Sequence, residues 1–173
     1  MTHRPHELKK IRAEAAASAV EKAEKYRDLN QPFEAESICR DVLAASPDHA
    51  GALRTLGLAL TDQFEGKGKG RHAEAMAVFG RLADPYERAF YSGLACERQA
   101  KAQLEEGRPL QSSLPLFEEA LARYQEAERL RPAGNDDPIL RWNSVVRTLR
   151  AHPDYAAAAV TADFDIGGDS PPD

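Results

Sequence analysis

The chain has 173 residues, enough for one domain or one short repeat array. It is 42% apolar, 29% charged and only 7% aromatic, and thirty alanines carry much of the apolar fraction, which favours close-packed helices over a β-branched sheet. The 23 cations and 28 anions leave a net charge of −5, all of it in five aspartates after Arg150, so residues 1–150 are neutral and lack the basic excess that nucleic-acid binding requires.

No apolar run approaches the roughly 18 residues that span a bilayer. The first residues lead into a charged helix rather than an apolar signal core. Cys39 and Cys96 both fall on apolar helical stripes, the usage of a reduced compartment. Composition therefore predicts a soluble, helical, cytoplasmic protein with no nucleic-acid or membrane partner.

Apolar spacing of three to four predicts helices nearly throughout. The first covers about 6–29, with Leu8, Ile11, Ala15, Ala19, Ala23 and Tyr26 on one face, and Asn30-Gln31-Pro32 ends it. A second, about 32–45, places Ala35, Ile38, Cys39, Val42 and Leu43 together. The third, about 48–64, carries Leu53, Leu56, Leu60 and Phe64. Three glycines within residues 66–70 exclude any regular element there. A fourth helix, about 71–83, holds Ala75, Val78, Phe79 and Leu82. The fifth, about 85–106, opens on Asp84-Pro85 and carries Tyr86, Phe90, Leu94 and Leu104. Gly107-Arg108-Pro109 ends it, and Ser112-Ser113 is the expected cap of a sixth, about 114–131. After Arg131-Pro132-Ala133-Gly134, a seventh at about 137–151 aligns Ile139, Trp142, Val145, Val146 and Leu149. Residues 152–173 read as an acidic, disordered tail.

Internal spacing repeats. Ala35-x3-Cys39, Ala75-x3-Phe79 and Ala120-x3-Tyr124 each set a small residue four before a larger one. Ala35 to Pro47 and Ala120 to Pro132 are both twelve residues. Leu53-x2-Leu56-Gly57-x2-Leu60 and Ser92-Gly93 supply glycines on the intervening helices. These residues resemble the tetratricopeptide repeat, with its pattern W-x2-L-G-x2-Y…A-x3-F…P. The resemblance covers roughly residues 16–150 as three helix pairs and a terminal helix. Trp and Tyr of that pattern become Leu53 and Leu60 here, the Gly/Lys segment 65–70 lengthens one turn, and an insertion occupies about 101–115. The implied fold is all-α, a right-handed superhelical stack of antiparallel helix pairs over residues 1–151, with 152–173 as the tail.

The resemblance implies a concave groove lined by the first helix of each pair. Its expected lining is Arg54, Leu58, Thr61, Phe90, Tyr91, Leu94, Arg98, Asn143 and Arg147, a mixture typical of binding hot spots. Val20, Glu21 and Glu24 stand where a carboxylate clamp would need Lys and Asn, which disfavours an adaptor for chaperone C-terminal tails. The residues themselves offer no catalytic constellation. His3, His6, His49, His72 and His152 are scattered, without metal-ligand spacing. Ser37, Ser112 and Ser113 read as surface or cap residues. Gly66-Lys67-Gly68-Lys69-Gly70-Arg71 lacks the spacing of a P-loop, and its cations are a candidate contact for an acidic partner surface. In the tail, Ala162-Asp163-Phe164-Asp165-Ile166 has the alternation of a docking peptide, with Arg54, Arg98 or Arg147 as its expected contacts. The expected function is a non-catalytic, bacterial-type adaptor that binds a protein or peptide without cofactor or metal. The alternative is a homo-oligomer joined through its terminal helices, with the Trp142 end against another copy.

Overall fold

A computed structural model describes residues 6–65 and 70–155. Its described residues form helices and no strand. A 3-10 turn, Ala13–Ala15, leads into α1 (Ala16–Asp28), followed by α2 (Pro32–Ala45), α3 (Ala50–Thr61) and α4 (Arg71–Gly80). Two long helices follow, α5 (Pro85–Glu105) and α6 (Leu110–Leu130), and then α7 (Asp137–Ala151).

Local chemistry explains most boundaries. Pro32 and Pro85 begin α2 and α5, where their preset φ suits a first turn and no amide is missed. The Asp84 carboxylate accepts from the Tyr86 amide at 2.9 Å, and His49 Nδ1 accepts from the Ala52 amide at 3.2 Å. Asn30, at φ 57°, turns the chain between α1 and α2 in a conformation that Asn tolerates better than most residues.

Two expected starts move. The first helix begins at residue 13 rather than 6, because residues 6–12 run without helical hydrogen bonds and leave Leu8 93% exposed. The sixth begins at Leu110 rather than 114 and passes through Pro115. Leu110 is buried against the α5–α6 cluster, and the buried Ser113 hydroxyl donates to Gln103 Oε1 at 3.0 Å instead of capping. Tertiary burial thus outweighs the amide that Pro115 removes. The third and fourth helices also stop three residues short of the expected ends, at Thr61 and Gly80.

Each helix packs on the next in sequence, and the odd helices also pack on one another, α1 on α3, α3 on α5 and α5 on α7. The even helices share no comparable contact among the described residues. Two layers result. The core divides into a cluster around Leu53, Leu60 and Phe79 and a second around Phe117, Tyr124 and Val145.

Close approach between layers depends on glycine. A Cβ added at Gly57 would lie 2.2 Å from the Phe79 ring, so that ring rests directly on the α3 backbone. Gly93 repeats the arrangement in milder form, its missing Cβ 3.0 Å from Tyr124 and 3.1 Å from Arg123 Cβ. Gly80, at the end of α4, has nothing within 4 Å. Gly57→Ala is therefore expected to cost about 1–3 kcal/mol through overpacking. Gly80→Ala is expected to be neutral or to stabilise by up to about 1 kcal/mol. Urea midpoints check both, and Phe79→Leu in the Gly57→Ala background should recover part of the loss, because the two changes share one contact.

Candidate interaction site

The C-terminal ends of α1, α3 and α5 open together into a cavity of about 480 Å³. Its walls come from Arg27, Asp28 and Asn30, from Thr61, Asp62, Phe64 and Glu65, and from Arg98, Lys101, Ala102 and Glu105. These three ends meet because the odd helices lie side by side and run in the same direction.

Asp62 organises the basin. Arg27 Nε donates to Asp62 Oδ2 at 2.7 Å, and Arg98 Nη1 reaches Asp62 Oδ1 from the other side. The same Arg98 nitrogen donates to the Thr61 hydroxyl at 2.7 Å, while that hydroxyl donates to the Leu58 carbonyl at 2.8 Å. One carboxylate thus links α1 to α5 across the end of α3. At the rim, the Glu65 carboxyl is hydrogen-bonded to Glu105, and that bond with the neighbouring charge raises its pKa above the ordinary value. Leu29 lies between two wall residues in sequence and is 67% exposed, an apolar group at the edge of a polar basin.

The expected groove residues separate into groups. Thr61 and Arg98 come together in the basin wall. Arg54 instead pairs with Glu87 at 3.0 Å. Leu94 is buried in the core, and Leu58 packs half-buried against the first cluster. Phe90 and Tyr91 belong to a half-buried aromatic run: Tyr91 stacks on Phe79 with centroids 5.3 Å apart, and Phe90 on Tyr86 at 5.9 Å. Asn143 is half-buried on α7 and Arg147 exposed. Arg141 on the same helix turns inward to within 3.6 Å of Glu97. Trp142 packs half-buried on its own α5–α6 cluster. Arg27, Asp62, Lys101 and the Glu65–Glu105 pair were not singled out by sequence. Their one signal is position, since all fall at or just beyond the last turns of odd helices.

Two buried carboxylates hold the layers outside the basin. Glu36 on α2 accepts from Arg40 at 2.6 Å, from Arg71 at 2.8 Å and from Gln63 at 2.9 Å, tying α2, α3 and α4. Burial raises its pKa, but these hydrogen bonds and the Arg71 charge outweigh burial and leave it lowered. Arg71, expected at a mobile basic edge, is thereby engaged within the fold, while Lys67 and Lys69 lie outside the described residues. Glu97 on α5 accepts from the Tyr124 hydroxyl at 2.5 Å and pairs with Lys101 at 2.5 Å. Burial, with the Glu97 charge behind it, pushes the Tyr124 phenol well above its ordinary pKa.

Both cysteines are buried and unpaired with each other. Burial pushes the Cys39 thiol up to about 12 and the Cys96 thiol up to about 11, so both remain protonated near neutrality. His72 lies edge-on to Phe64 at 5.9 Å, and burial lowers its pKa. No group of three or more His, Cys, Asp or Glu side chains among the described residues is arranged to hold a metal ion. No described helix is long and apolar enough to cross a membrane. The acidic-apolar segment 162–166 lies outside the described residues.

No protein-family model matches the chain, and no curated protein is significantly similar to it.

The lowered pKa of Glu36 sets a sign for acid stability. A carboxyl that ionises more readily in the folded state adds stability above its ordinary pKa of 4.5, and the gain is lost as pH falls through the folded value. Urea denaturation between pH 3 and 7 should show stability falling at the acid end. In Glu36→Gln that slope should flatten, with stability at pH 7 lower by about 1–3 kcal/mol.

Proposed function

We infer that the chain is a non-catalytic protein-interaction module, a tetratricopeptide-like stack of helix pairs wound into a right-handed superhelix. It takes a partner peptide of mixed charge in the basin at the ends of α1, α3 and α5. Three packing features support the architecture: sequential helices pack on one another, odd helices share a layer, and Gly57 and Gly93 admit Phe79 and Tyr124. A unit that contacts only its neighbours in this way belongs to repeat scaffolds, whose continuous layer of first helices serves as a binding face.

The observation that carries the function is the basin itself. Its volume of about 480 Å³ suits one or two side chains, and its polar groups converge from three helices. Arg27 and Arg98 are held at fixed positions by Asp62, which lowers the entropy lost when a partner is gripped. The adjoining Glu65 and Glu105 carboxyls, whose hydrogen bond and neighbouring charge raise the Glu65 pKa, form an acidic rim that invites a basic side chain. Exposed Leu29 supplies an apolar contact beside these charges.

The test is capture of partners on immobilised full-length protein. Glu65→Lys with Glu105→Lys, and separately Leu29→Asp, should abolish recovery of a protein retained by wild type. Arg147→Glu with Arg150→Glu, on exposed positions of α7, should leave recovery intact. Equal recovery by the basin variants would overturn the assignment.

A further inference from the structure

A second surface lies on the outer side of the first helix pair. Two adjoining hollows of about 260 and 320 Å³ share Ile11 and Asp41 and together make one continuous slot. The slot is bounded by α1, α2 and the non-helical segment before them. Its floor is apolar, formed by Ile11, Ala19, Ile38 and Ala45, with Leu8 almost fully exposed at one end. Lys9, Lys10 and Lys22 stand around it, all exposed, against Asp41 alone. No ion pair among the described residues engages those three lysines, whereas Arg27, Arg54, Arg71 and Arg98 are each held by a carboxylate. α1 turns Ala16, Val20 and Ala23 inward, and the slot runs along its flank, where Ile11 and Ala19 pack at the edge of the cluster around Val20 and Val42.

We propose that this slot binds the acidic-apolar segment Ala162–Ile166 of a second copy of the chain. The segment alternates Asp163 and Asp165 with Phe164 and Ile166, and no Lys or Arg occurs after Arg150. Its two large apolar side chains match the apolar floor, and its two negative charges match a rim with two more positive charges than negative. The polar basin is a poorer host, because Asp28, Asp62, Glu65 and Glu105 there outnumber Arg27, Arg98 and Lys101.

Reach favours a segment from another copy. The chain leaves α7 beyond Tyr155, which packs on the second core cluster at the far end of the stack. From α7 to α1 there are three helix-to-helix steps, α7–α5–α3–α1, of about 8–10 Å each. The slot lies on the α1–α2 pair, toward residues 8–11. The eight residues 156–163 extend at most about 28 Å, which a fully stretched chain would use up in reaching α1. Docking between copies is a route to self-association that leaves the basin untouched and does not rest on its role.

The experiment uses full-length protein carrying Phe164→Ser and Ile166→Ser, so that its own segment does not compete. A fluorescein-labelled peptide of residues 159–169 is titrated and followed by anisotropy. Saturable binding is expected, weakened at least tenfold by Lys9→Glu, Lys10→Glu and Lys22→Glu together. A peptide bearing Asp163→Lys and Asp165→Lys should recover affinity for that reversed-charge protein, which shows that it is still folded. Light scattering of the wild-type chain should show mass rising with concentration, and the Phe164→Ser, Ile166→Ser variant should remain at the mass of one chain. Absent peptide binding, or binding indifferent to the lysines, overturns the proposal. So does a wild-type mass of one chain at every concentration, or a rise that survives loss of Phe164 and Ile166. Recovery of partners through the basin is unaffected by any of these outcomes.

Discussion

The packing of Tyr124 holds the second half of this molecule together. Its ring rests on the α5 backbone at Gly93, where an added Cβ would lie only 3.0 Å from it and force a small shift. Its hydroxyl donates to Glu97, one turn farther along α5, and that carboxylate also pairs with Lys101 and draws in Arg141 from α7. A single aromatic side chain therefore sets the α5–α6 distance and satisfies the buried acid on which α7 is seated. The first half uses the same device with the functions divided. Phe79 fills the space over Gly57, and Glu36 gathers Arg40 from α2, Arg71 from α4 and Gln63 from the turn after α3. Removing one member of either cluster would strip a buried carboxylate of one of its partners, which costs more than the net worth of the bond itself.

Pairing of this kind engages several arginines of the helical body. Arginines that look available in the sequence, such as Arg54, Arg71 and Arg98, are paired across helices and act as struts. What remains open is the basin, where paired charges still reach solvent, and the outer slot with its three lysines. The two surfaces differ in kind. One is polar and preorganised, and the other is apolar with a charged rim, so they suit different peptides.

Much of the secondary structure was legible because its signals are local. Proline at the starts of α2 and α5 and the apolar period of α7 place those elements within a residue of their observed bounds. Gly57 and Gly93, and the larger Phe79 and Tyr124, stand out in the sequence, but their pairing, across 22 residues in one case and 31 in the other, appears only in the fold. The site was much less so. Of nine residues expected to line a groove, Thr61 and Arg98 meet in the basin, while Leu94 is core and Arg54 is bound to Glu87. Spacing tells which face of a helix a residue occupies, but not which neighbouring charge captures a long side chain.

The sequence by itself determined an all-helical chain, its breaks, its small and large positions and the segregation of net charge into the residues after Arg150. Those follow from backbone propensity and periodicity, which act over a few residues. The tertiary structure alone decided where polar groups converge. Arg27, Asp62 and Arg98 are separated by more than thirty residues at each step and meet only because three odd helices end at one level. The start of α6 at Leu110 was likewise decided by packing. In each case the free energy of burying or pairing a side chain across helices exceeded the local preference of the backbone.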